Sequence, residues 1–99
     1  IYVGDTARAT LMLAERDDIV GEVLNIGSGQ ETSVNALVRL MVEFMGQPDF
    51  PLQYDPPRPG DVRRHLAGVA KAERKLGYRP EISLREGMKE TIAWYRSRK

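Results

Sequence analysis

Residues 56–65, Pro-Pro-Arg-Pro-Gly-Asp-Val-Arg-Arg-His, gather most of the side chains in this chain that could do chemistry on a ligand. Within them, Arg58-Pro59-Gly60-Asp61 has the signature of a type II turn. Proline presets the first central φ and glycine accepts the positive φ at the second. Such a turn brings the Cα atoms of Arg58 and Asp61 within about 7 Å of each other. A guanidinium grips phosphate oxygens in a bidentate fork, and a carboxylate accepts hydrogen bonds from neighbouring ribose hydroxyls. The pair therefore suits a nucleotide diphosphate. It equally suits a solvated turn whose charges pair weakly, worth about 0–1 kcal/mol, and the residue types alone leave both readings open. If the chain runs extended after the turn, Arg63 and His65 share one side and Arg64 faces the other. A functional reading turns His65 toward a ligand and lets an arginine add positive potential, whereas Arg63 and Arg64 read equally as a basic surface strand.

Other candidates are weaker. Asn25-Ile26-Gly27-Ser28-Gly29 sits between an apolar run and a helical pattern. It lacks the third glycine of a dinucleotide fingerprint and the Gly-Lys-Ser/Thr of a phosphate loop, so a tight turn is the better reading. Asp5 reads as a helix N-cap, and Trp94 and Tyr95 as core residues beside Ile92. Glu31, Glu43, Glu73 and Glu86 fall on different elements and form no acid–base pair. A single histidine and no cysteine argue against an all-protein zinc site, a catalytic triad and a disulfide framework.

These residues need elements to position them. The spacing predicts helices over about 6–16 (capped by Asp5), 34–45 (capped by Ser33 and stopped by Gly46), 69–76 (stopped by Gly77) and 84–96. Ser83 and Glu86 form a capping box for the last. Val34, Leu37, Val38, Met41 and Met45 make one stripe, and Leu84, Met88, Ile92 and Tyr95 another. Short extended segments are expected at 1–3, 22–26 and 52–54. Prolines 48, 51, 56, 57 and 59 forbid regular helix between the second and third helices. The class is α+β and helix-rich, with one domain over residues 1–99.

The 99 residues are 41% hydrophobic and 29% charged, with a formal charge of +1. That balance suits a small globular domain and provides no strong field for nucleic acid or an anionic membrane. Apolar runs fall short of a membrane span, and the lack of cysteine is compatible with the cytoplasm. The opening Ile-Tyr-Val-Gly-Asp begins inside an apolar run, as a piece of a longer polypeptide would.

Several motifs occur in a family's order. Tyr2–Glu15 resembles the Tyr-Val-x-Asp-x-Ala-x-Ala helix entry of NAD-dependent nucleotide-sugar epimerases and dehydratases, the extended short-chain dehydrogenase/reductase family. Gly21–Val38 is similar to that family's Asn-Ile-Gly-x-Gly strand, loop and helix. Residues 56–95 are similar to its Arg-Pro-Gly-Asp, Leu-Gly-Tyr-x-Pro and aromatic-ended closing helix, in the form nearest the UDP-sugar 4-epimerases.

The resemblance implies the C-terminal substrate-binding part of a two-domain enzyme, separated from an N-terminal Rossmann domain that holds NAD. It implies that Arg58 contacts the diphosphate or ribose, that Asp61 contacts ribose hydroxyls, and that His65 lies near the sugar. The glycine-rich NAD fingerprint and the Tyr-x-x-x-Lys pair of the family are not in this sequence, nor is the arginine that usually precedes the segment matching Ile1. This part alone is therefore expected to bind no NAD and to transfer no hydride. In the full-length enzyme the sugar C4 hydroxyl would be oxidised using NAD, the keto sugar turned, and hydride returned to its other face. Gly68 and Ala70 replace the usual Asp and Ser of the third helix's start, which should fray there.

Three functions follow. One is the UDP-sugar-binding part of an epimerase, or of a related dehydratase or decarboxylase. Another is a free-standing nucleotide-diphosphate-binding module. The third is a domain that self-associates, for instance as a homodimer, through exposed apolar surface.

Overall fold

A computed structural model describes residues 1–98. Four helices follow one another: α1 (Val3–Ala14), α2 (Val34–Phe44), α3 (Ala70–Leu76) and α4 (Leu84–Ser97). The described residues contain no β-strand, so the fold is helix-rich as expected while the α+β assignment gains no support. Residues 22–26 show why. Leu24 and Ile26 turn inward and Val23 and Asn25 outward, the alternation of a strand. A ladder needs a second extended segment alongside, and none among the described residues bonds to this one. Instead the Val23 carbonyl accepts a hydrogen bond from Lys71 Nζ at 3.0 Å.

The ends of the helices follow local chemistry. Ser33 Oγ accepts the Ala36 N–H at 3.1 Å and starts α2. Gly46, with φ 79°, closes α2, its N–H donating to Glu43 and that of Gln47 to Val42. Both halves of the Ser83/Glu86 capping box are formed at α4. Gly77 is left-handed at the end of α3 and turns Tyr78 into the core. Val69 precedes α3 without a side-chain cap, in keeping with the Gly68 and Ala70 departures.

One expected cap is wrong. Helix α1 starts at Val3, because the Tyr2 carbonyl already accepts the N–H groups of Asp5 and Thr6. Asp5 therefore lies inside the first turn and its carboxylate is free for a distant partner.

Burial is uneven. Ala9, Ile19, Ala72, Leu76 and Tyr78 form a small core between α1 and α3, with Met12, Leu13, Leu24 and Ile26 against it. Helix α2 has no fully buried residue. It leans on α4, where Arg85 pairs with Glu43 and lies 5.0 Å from the centre of the Phe44 ring. Trp94 and Tyr95, expected in the core, are exposed and stack edge to face on each other, centroids 4.9 Å apart. They line one groove with Tyr2 and Val3 at the beginning of α1.

The radius of gyration is 16.6 Å, against about 13 Å for a compact chain of about 100 residues. The accessible surface is 8289 Å², about 1.5 times the value that scaling gives a monomer of this mass. Val3, Leu11, Val34, Tyr54, Trp94 and Tyr95 are among the large side chains left in water. Among the described residues no helix is long and apolar enough to cross a membrane.

Candidate functional site

The Arg58–Asp61 turn forms as the sequence predicts. Gly60 has φ 85°, and the Asp61 N–H donates to the Arg58 carbonyl at 3.2 Å. The two side chains leave the corner together. Arg58 Nε donates to Asp61 Oδ2 at 3.3 Å and Nη2 to Oδ1 at 3.4 Å. Both are long for a charged pair and both side chains are well exposed. The exchange of one partner for the other is thus nearly neutral, and an incoming anion or hydroxyl could take either group at a cost of about 0–1 kcal/mol.

Four residues further on, His65 lines a cavity of about 510 Å³. Three other stretches build its walls. Ile1 and Tyr2 come from the start of α1, residues 80–84 from the α3–α4 junction, and Ser28, Gln30, Thr32, Val34 and Leu37 from the loop and first turns around α2. The lining mixes apolar side chains such as Ile1, Leu37 and Ile82 with hydroxyls, an amide, a carboxylate and the imidazole. Arg58 and Asp61 are not among the lining residues: the turn stands on the same loop as His65, outside the cavity wall.

Close packing holds His65 there. A Cβ on Gly27 would lie 3.1 Å from the Ala67 Cβ, and one on Gly29, whose φ is 73°, would lie 3.2 Å from Val69. Both glycines thus let the 67–69 backbone lie against the 27–29 loop. Their space is filled by protein side chains, and the chain bends at both glycines.

Arg64 adds a second tie, its Nε donating to Glu31 Oε1 at 2.8 Å. The Arg64 hydrogen bond holds the Glu31 carboxyl below its usual range. Arg64 thus reaches the neighbouring loop, a partner 33 positions distant that the local pattern did not reveal.

Asp5 is the other residue whose role the sequence concealed. It is 2% exposed. Its Oδ1 accepts the Glu81 N–H at 3.1 Å and its Oδ2 the Ile82 N–H at 3.0 Å. Arg8 Nη2 donates to Oδ1 at 3.3 Å. Burial pushes the carboxyl up, yet the Ile82 and Glu81 N–H groups and the Arg8 guanidinium together outweigh it and hold it below the usual carboxylate range.

A second groove, about 460 Å³ and mostly apolar, shares Ile1, Tyr2, Ser83 and Leu84 with the first and continues along Met88, Thr91, Trp94 and Tyr95. The Tyr2 ring separates the two. Its atoms lie where a Cβ on Gly4 would come within 2.9 Å and one on Gly87 within 3.0 Å. The groove carries none of the site residues expected from the sequence. Among the described residues, no group of three or more His, Asp or Glu side chains could hold a metal ion.

Comparison with known proteins gives this geometry a context. Residues 1–91 match a family model described as GDP-mannose 4,6 dehydratase. The structure superposes on a UDP-glucose 4-epimerase from Thermotoga maritima, solved with UDP-glucose, with a TM-score of 0.89 and 44% identity over 98% of this chain and 30% of that one. A UDP-glucose 4-epimerase from Bifidobacterium longum, solved with NAD+ and UDP, gives a TM-score of 0.84 and 27% identity over 95% of this chain and 28% of that one. A dTDP-glucose 4,6-dehydratase from an Actinoplanes species is 35% identical over 97 residues, 98% of this chain and 30% of that protein. The chain thus spans about 30% of the length of these relatives.

Proposed function

The chain belongs to the NAD-dependent nucleotide-sugar epimerase/dehydratase family, and from that premise we propose that residues 1–99 are the part of such an enzyme that holds the nucleotide sugar. The substrate class is a UDP-sugar and the reaction a 4-epimerisation, in the manner of the similar Thermotoga maritima enzyme solved with UDP-glucose. One observation carries the reading. Four stretches far apart in the sequence converge on one cavity of mixed polar and apolar lining, and His65 in that lining shares a loop with the Arg58–Asp61 fork.

In this reading Arg58 turns from Asp61 to the diphosphate, Asp61 accepts from the ribose hydroxyls, and His65 limits the room at the sugar. This chain's residues bind and orient. NAD and the hydride step are assigned to a companion Rossmann domain, because the glycine-rich fingerprint and the Tyr-x-x-x-Lys pair of the family are not among these residues. That domain would also cover the apolar surface left in water around Trp94 and Val3. The same exposed surface supports one other reading, a self-associating domain, which light scattering over a dilution series would reveal.

The test is calorimetric titration of the longest native polypeptide containing this chain with UDP-glucose. Arg58→Ala should weaken binding by about 1.5–3 kcal/mol, the loss of a hydrogen bond to a charged group. Unchanged affinity would remove Arg58 from the site. A dehydratase would declare itself by releasing a 4-keto-6-deoxy sugar instead of the C4 epimer.

A further inference from the structure

The cavity has three walls supplied by separate elements, and one polar chain touches all three. The start of α1 brings Ile1 and Tyr2 to the cavity. Three residues past Tyr2, the Asp5 carboxylate receives the backbone N–H groups of Glu81 and Ile82, which belong to the second wall. Arg8 bonds Asp5 and also donates to the Arg79 carbonyl just ahead of that wall. The Arg8 guanidinium lies 5.4 Å from the centre of the Tyr78 ring, which is 2% exposed. Tyr78 Oη in turn donates to the Gly27 carbonyl at the root of the third wall, the 28–32 stretch. At 3.5 Å that last bond is long, so the buried ring acts there chiefly as a packed spacer.

We propose that Asp5 is a positioning residue for this cavity. Through Arg8 and Tyr78, its carboxylate sets the separation of the three walls and so the fit of the ligand between them. The proposal rests on the reading of the cavity as the nucleotide-sugar site. A carboxylate is required because both oxygens accept N–H donors. An asparagine would turn its NH₂ toward one of them and leave a buried donor unpaired. A purely structural account, in which Asp5 merely stiffens the fold, predicts something different: any equally destabilising core change should have the same consequences.

The experiment compares Asp5→Asn, Arg8→Met and Leu76→Ala in the longest native polypeptide. Leu76 is in the core and lines neither groove. Melting temperature, the KM for UDP-glucose, kcat, the dissociation constant of NAD, and amide exchange at 27–32 and at Glu81 and Ile82 are measured for each. Asp5→Asn should raise KM about tenfold or more with kcat and NAD binding nearly unchanged. It should also speed exchange in both segments. Arg8→Met should do the same more weakly. Leu76→Ala should lower the melting temperature comparably and leave KM unchanged. The proposal is overturned if Asp5→Asn and Leu76→Ala move KM alike for a given loss of stability, or if Arg8→Met leaves KM unchanged. Faster exchange at Glu81 and Ile82 with 27–32 unaffected overturns it too, and this readout needs no ligand. If the unmodified protein binds no UDP-glucose, the nucleotide-sugar reading falls, while the exchange data still decide whether Asp5 ties the walls together.

Discussion

The α1–α3 half and the α2–α4 half of this chain are built to different standards. The first buries five hydrophobic residues and a carboxylate with both oxygens paired. The second buries none of its apolar side chains fully and relies on half-covered contacts and the exposed Arg85–Glu43 pair. The contrast separates two duties. Tight packing fixes backbone where ångström positions matter, whereas an open helix pair presents surface for something else to cover. The cavity lies at the seam, with walls from both halves. Its occupant would therefore cover side chains of the half that buries least, and local opening should concentrate where burial is shallow, in α2 and α4.

The sharpest way to break this comparison is to cut into the tight half. Leu76→Ala removes a side chain 3% exposed and should cost about 2–5 kcal/mol in denaturant melts. The same truncation at Met45, 52% exposed at the end of α2, should change stability by no more than about 0.5 kcal/mol. Equal losses would mean that the α2–α4 half carries as much stability as the core. Next comes the joint between Tyr2 and α4. Gly87→Val would drive carbons into a ring already 3.0 Å from the Cβ position and should cost about 1–3 kcal/mol. A variant as stable as the parent would show that the Tyr2 ring moves aside freely.

The smallest effect is a pH dependence in the tight half. Hydrogen bonds from Lys71 and Lys75 pull the Glu22 carboxyl down to about 2 from its ordinary 4.5. A depressed carboxyl stabilises the fold above its unfolded pKa and loses that contribution as pH falls through the folded one. The window is therefore from about pH 4.5 down to about 2. Glu22→Gln should flatten the acid limb of the melting temperature across that window. An unchanged limb would leave acid sensitivity to Asp5, whose carboxyl is depressed as well.

What the sequence disclosed follows the same division of near from far. Ser33, Ser83 with Glu86, Gly46, Gly77 and the Pro59-Gly60 corner all act on backbone within a few residues, and each performs as its residue type dictates. Asp5 misled because its partners are 76 and 77 positions away. A carboxylate beside a helical pattern looks like a cap when nothing tells that Tyr2 has already closed the first turn. Trp94 and Tyr95 misled for the opposite reason: helical spacing identifies an apolar face without saying whether this chain covers it. The 22–26 segment shows the alternation of a strand and lacks a neighbour, which no local pattern can supply. At the site, the turn geometry of Arg58 and Asp61 was legible from Pro-Gly alone. The meeting of His65 with Ser28, Gln30 and Thr32 was not, because it depends on glycine-to-side-chain packing between distant loops.

The Tyr2 ring wedged between Gly4 and Gly87 makes the two grooves share a party wall. A rotation of that one side chain would give space to one compartment by taking it from the other. The compartment beside Trp94 and Tyr95 and the one beside His65 are thus bounded by one and the same ring.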